Sequence, residues 1–227
     1  MFSREAACRA RHRRVRSGMA VLIALSVVFT AVSVSSFQND EVRPGSKFTH
    51  EEYLALPRYC VAQNGIANKM IVRVVPEEEV KSWYAMMGEP YNHIHHFCIA
   101  LMLVKRGNGA SKTMDRDAFY RSAIENFNYS IRRSPDTFPL KPEFHLRKGM
   151  TLRLLGNDGA ASHEFYTAVA IKPDYTPAYS ALADLLVDLG KPAEALELLD
   201  QGLRLSPDSK LLSSKKAELM QLQPGSR

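Results

Sequence analysis

The sequence holds no phosphate-cradling glycine loop, no serine nucleophile elbow and no paired-histidine metalloprotease signature, so no residues stand out to carry an enzyme reading. The two-cysteine-then-histidine order of covalent haem attachment is missing as well. Cysteine is scarce, at three, and tryptophan occurs once. Charge of a single sign is absent where a nucleic-acid partner would need it. Arg4, Arg9, Arg11, Arg13, Arg14 and Arg16 stand against one acid, Glu5, within residues 1–36. The remainder of the chain then holds 24 basic and 23 acidic side chains, so all but one unit of the formal charge of +6 belongs to the head. A nearly neutral body has no electrostatic footprint for a phosphate backbone, which excludes nucleic acid as a partner.

No charge occurs from Ser17 to Gln38 either. An arginine-rich head, an apolar run and then small residues form the layout of a bacterial secretory signal, with Ala31 and Ser33 at signal-peptidase spacing. No cysteine follows the run, which argues against a lipid-anchored form, and the Arg13–Arg14 pair lacks the rest of a twin-arginine signal. Twenty-two uncharged residues also suffice to span a bilayer, so residues 1–36 are read as a signal peptide or as an uncleaved inner-membrane anchor. Both readings leave residues 40–227 outside the cytoplasm, in the periplasm. In that oxidising compartment Cys60 and Cys98 are the two remaining cysteines, and an even count suggests a disulfide. Two buried free thiols are the alternative.

What is present is a period. Pro173 and Pro207 lie 34 residues apart, and aligning on them gives two units, 142–175 and 176–209. Down the columns His145 matches Tyr179, Gly149 matches Ala183, and Leu152 matches Leu186. Further along, Gly156 matches Gly190, Ala161 matches Ala195, Phe165 matches Leu199, and Ala168 matches Gly202. Small residues opposite bulky ones let two antiparallel helices approach closely, and the glycines and prolines end them. This order of residues resembles the tetratricopeptide repeat (TPR). The resemblance implies an all-α helix-turn-helix solenoid, a protein- or peptide-binding scaffold rather than a catalyst. Such units do not bury their apolar faces alone, so about three are expected.

A degenerate first unit is accordingly expected over 91–137, with His96, Ala100, Leu103 and Gly107 in the first-helix columns. Ala123, Phe127 and Ser130 follow in the second-helix columns. The stretch NGASKTMDRD is expected to lengthen its turn by about eleven residues over the family spacing. Residues 37–47 read as a flexible polar leader and 48–90 as an N-terminal helical cap packing Tyr59, Trp83 and Met87 onto the first unit. In that cap, Thr49 and Glu52 form a capping box and Glu77–Glu79 sit at a helix start. Residues 210–227 read as a C-terminal solvating helix and tail. The combination of signal, LPRYC, HHFC and repeats resembles TPR proteins of Gram-negative envelopes.

Family geometry places the partner-binding groove along the first helix of each unit. Its inward positions would be Leu146, Met150, Arg153 and Leu154, then Ser180, Asp184, Val187 and Asp188. The expected function is that of an exported scaffold binding a protein or peptide in an envelope assembly, with no cofactor. The alternative is a periplasmic metal- or haem-binding protein using His93, His95 and His96. On a regular helix His95 and His96 point about 100° apart, so these residues and Cys98 do not converge on one ion by helix geometry alone.

Overall fold

In the computed structural model, which describes residues 47–67 and 75–222, the elements are helices joined by short turns, with no strand among the described residues. The signal or anchor expected over 1–36, all but the last residue of the leader, and the tail from 223 lie outside the described residues. No described helix is long and apolar enough to cross a membrane.

The first described helices follow their capping chemistry. α1 (His50–Leu54) opens on Thr49, whose hydroxyl accepts from the Glu52 N–H while the Glu52 carboxylate accepts from the Thr49 N–H at 2.7 Å. These two bonds satisfy donors that a helix start otherwise leaves unpaired. α2 (Arg58–Ala67) is followed by α3 (Glu77–Met87), whose three leading acids sit at the positive end of its dipole. Gly88, with φ +67°, ends α3, and a 3₁₀ turn over Glu89–His93 leads into the repeats.

Three antiparallel hairpins come next. They are α4 (Ile94–Gly109) with α5 (Thr113–Arg132), α6 (Lys141–Leu154) with α7 (Asp158–Ile171), and α8 (Thr176–Asp188) with α9 (Pro192–Leu205). Each hairpin packs on its neighbour, and α10 (Lys210–Leu222) packs against α8 and α9. The fold is therefore an all-α solenoid. Its spacing comes from the small-residue column. A methyl group placed on Gly149 would lie 2.5 Å from the buried ring of Phe165, so only glycine lets α6 and α7 sit this close. Gly156 and Gly190 end α6 and α8 in the left-handed region at φ +72° and +74°, which a side chain would disfavour.

The long turn expected in the first hairpin does not exist. α4 and α5 are joined by residues 110–112, as short a connection as residues 155–157 between α6 and α7. Aligned on Leu103 and Leu152, α4 runs four residues further than α6; aligned on Ala123 and Ala161, α5 starts seven residues earlier than α7. The eleven added residues are helix. Gly107 is consequently no turn glycine but lies within α4, where a methyl group would meet the Tyr120 ring at 2.4 Å. Gly107 is seven residues after Ala100 and Tyr120 seven before Phe127, two helical turns in each case, so they repeat the small-against-bulky contact as an extra layer. Helical propagation wins here because the extension lets Gly107 of α4 pack against Tyr120 of α5 across the hairpin.

A disulfide joins Cys60 of α2 to Cys98 of α4, with 5.6 Å between their Cα atoms. Around it Tyr59 stacks over Phe97 and meets Trp83 edge-on, and Met87 is buried in the same apolar cluster. Arg106, buried in α4, holds α1 from the other side through the Glu52 carboxylate and the Lys47 carbonyl, with Phe48 over its guanidinium.

Candidate functional site

A cleft of about 740 Å³ opens between α4 and α6. Leu101, Val104, Lys105 and Asn108 form one wall and Arg147, Met150, Arg153 and Leu154 the other, with Asp158 and Asp188 at its far rim. Met150 and Leu154 are 44% and 48% exposed, large for apolar side chains of a helix packed on both sides. The extended hairpin makes the cleft deeper than a 34-residue unit would, because Lys105 and Asn108 belong to, or border, its added length. Asn108 is itself fixed, accepting a hydrogen bond from the Tyr120 hydroxyl at 2.7 Å.

Ion pairs decide where the groove stays open. Arg153 pairs with Asp188 between α6 and α8, and Lys215 of α10 pairs with Asp184 at 2.7 Å. At the opposite end, the Tyr59 hydroxyl donates to the Glu143 carboxylate at 3.4 Å, and Arg147 donates to the same carboxylate. Burial pushes the Tyr59 phenol well above its ordinary pKa, with the Glu143 charge acting in the same direction, so it stays a donor. Arg147, which lines the cleft, is thereby tied to α2 through Glu143, and the Arg153–Asp188 pair lines the cleft itself.

Of the expected groove residues, Met150, Arg153, Leu154 and Asp188 line this cleft. Leu146 does not: it is buried in the apolar cluster that also holds Phe165 and Leu182. The same column explains it, since Phe97, its counterpart in α4, is fully buried against Phe144. Asp184 and Val187 line a separate, small recess of about 60 Å³ with Lys215 and Leu219, because the solvating helix lies over that part of α8. Ser180 is half-buried and lines neither. Leu101, Val104 and Lys105 were missed, although they occupy the columns of Met150, Arg153 and Leu154 in the first unit.

The histidines cluster elsewhere, around Tyr129 of α5. The His96 ring lies 3.8 Å from that ring, with His93 at 6.2 Å and His95 at 6.4 Å. His93 pairs with Glu89 at 3.5 Å, and Cys98 is bonded to Cys60 and so offers no thiolate. Among the described residues no group of three or more His, Cys, Asp or Glu side chains could hold a metal ion. In the second unit the column of His96 holds His145, whose Nδ1 lies 2.6 Å from the buried Glu164 carboxylate, which Lys148 also engages at 2.6 Å. The repeat columns therefore assign His96 and His145 the same task of bonding the facing second helix, through Asn126 and Glu164 respectively.

Residues 152–219 match the tetratricopeptide repeat family. A thermophilic TPR protein of Thermus thermophilus superposes with a TM-score of 0.54 at 22% identity, over 72% of this chain and 80% of that one. The TPR domain of Sgt2 from Aspergillus fumigatus, at 18% identity, gives 0.40 over 54% and 77%. The second TPR domain of human RPAP3, in complex with an HSP70 peptide, gives 0.38 at 19% identity, over 55% and 98%. No curated protein sequence matches. At these identities the likeness is one of fold.

Proposed function

We propose that this TPR-type stack is a scaffold that binds a protein or peptide segment in the cleft between α4 and α6, and that it does so outside the cytoplasm. The cleft carries the reading: apolar Met150 and Leu154 are left exposed beside half-buried Leu101 and Val104, between two helices whose other faces are packed. Concave apolar sites with a few polar groups at the rim are where ligands bind, and Lys105, Asn108 and Arg147 supply that rim. The ordered stack offers a preformed surface, which lowers the entropic cost of capture. The arginine head and uncharged run support export, to the periplasm or to the inner-membrane surface facing it. A role in a larger envelope assembly follows from that placement.

Selection of peptides from a displayed library on the full-length chain, followed by binding measurements on Met150→Glu and Leu154→Glu variants, tests the site. Each substitution should weaken binding at least about tenfold, the effect of 1.4 kcal/mol. Tyr166→Glu, on an exposed face of α7, should leave it unchanged. Peptides that bind all three variants equally would place the site elsewhere. A C-terminal alkaline phosphatase fusion should be active; an inactive one would refute export.

A further inference from the structure

The histidine cluster is not explained by peptide binding, and its hydrogen bonds carry chemical information. Asn126 donates from its amide nitrogen to the Ser122 carbonyl at 2.8 Å, so its side-chain oxygen is the atom facing His96 Nδ1 at 2.7 Å. An oxygen acceptor there requires the proton on Nδ1, which leaves the His96 Nε2 lone pair bare. The His95 Nδ1 faces the Asn92 carbonyl at 3.0 Å, with the same consequence for its Nε2. Two adjacent imidazoles are thus locked in the tautomer in which metal-bound histidines are usually held, each donating its one N–H, at Nδ1, to an oxygen.

Tertiary contact also corrects the divergence that helix geometry alone predicts. The close, tilted contact of His96 with Tyr129 and the hydrogen bond from His95 to the Asn92 carbonyl hold the two ring centroids at 4.4 Å. His93 contributes no comparable nitrogen, since its Nε2 lies against Glu89.

We propose that His95 and His96 form a two-imidazole site for a divalent first-row transition ion, with water completing the coordination and copper(II) held most tightly. Two protein ligands agree with the lack of any three-ligand group among the described residues. Neutral imidazole suits copper, nickel and zinc, and copper(II) heads the affinity order for a given site of this kind. His145 has its Nδ1 held in the same way by Glu164, but no second imidazole lies in ring contact with it among the described residues.

The test is copper(II) titration of the purified full-length chain against a competing chelator, read by calorimetry and electron paramagnetic resonance. The sequence has seven histidines, so single variants are needed to locate the ion. One copper per chain is expected, with superhyperfine coupling to two nitrogens. His95→Gln and His96→Gln should each weaken binding ~tenfold or more and leave one coupled nitrogen. His93→Gln should change neither, and unaltered circular dichroism would show that the variants fold. If His96→Gln unfolds, His95→Gln, whose ring is only half-buried, decides alone. Absence of stoichiometric copper, or copper bound as tightly by His95→Gln as by the native chain, would overturn the assignment.

Discussion

Replacing Gly107 by alanine tests, by the sign of its effect, whether this glycine packs against Tyr120 inside the hairpin. At an open helix position, Gly→Ala stabilises by about 0.4–1 kcal/mol through the unfolded chain. In the structure the new methyl group would lie 2.4 Å and 2.8 Å from two carbons of the Tyr120 ring, where ordinary contact begins at 3.4 Å. That ring is buried and tied through its hydroxyl to Asn108, so it has little room to retreat. Overpacking of this kind costs ~1–3 kcal/mol, against which helix propensity returns ~1 kcal/mol. The net loss reaches about 2 kcal/mol, or a fall in Tm of up to ~8 °C at the ~2–4 °C per kcal/mol of a chain this size. Thermal unfolding followed by circular dichroism reads it, with the disulfide kept intact. Gly149→Ala, against Phe165, should behave alike, whereas Gly159→Ala has nothing within 4 Å of its new carbon and should stabilise. Combining Gly107→Ala with Tyr120→Leu should recover part of the loss, a coupling of ~0.5–3 kcal/mol. A Gly107→Ala protein as stable as Gly159→Ala would refute the extra layer.

Two further outcomes follow from the bonds around the stack. Cys60→Ser should lower stability by about 4 kcal/mol on the chain-entropy account of a 38-residue separation, and hydrogen exchange should quicken in α1 to α4 while α6 to α9 stay protected; uniform loss of protection would contradict the local role. At Glu164 burial works to raise the pKa, but the bonds to His145 and Lys148 outweigh it and hold the carboxyl below its ordinary 4.5. The folded state then binds fewer protons than the unfolded one, so this stabilisation is full above about pH 4.5 and is lost as pH falls through the folded pKa. Tm measured from pH 7 to pH 3 should fall less steeply in Glu164→Gln than in the native chain; parallel curves would remove Glu164 from the account.

Repetition made much of the fold readable. Gly149 and Ala183, Phe165 and Leu199, Gly156 and Gly190 recur at 34 residues because each pair of helices meets the same steric demand, and the periodic solution appears in the residues themselves. Capping is equally local, which is why Thr49–Glu52 and the Gly88 stop are found where their residue types stand. The same columns, carried through the first unit, would have named Leu101, Val104 and Lys105 as cleft residues.

Helix-turn-helix periodicity and the degenerate first unit are thus determined by sequence, since each rests on interactions between residue types at fixed separations. The even cysteine count suggests a Cys60–Cys98 bond, and the fold brings the two together. Three features were decided only by the folded structure. The eleven-residue addition became helix because Gly107 finds Tyr120 across the hairpin. Leu146 sank into the core while Met150, one turn on, stayed open, because burial depends on which neighbour covers a helix face. His95 and His96, which a bare helix holds apart, came within 4.4 Å because Asn92, Asn126 and Tyr129 draw their rings together. Those partners lie on other elements, or depend on how elements dock, and no local pattern specifies the distance at which two docked helices bring side chains together.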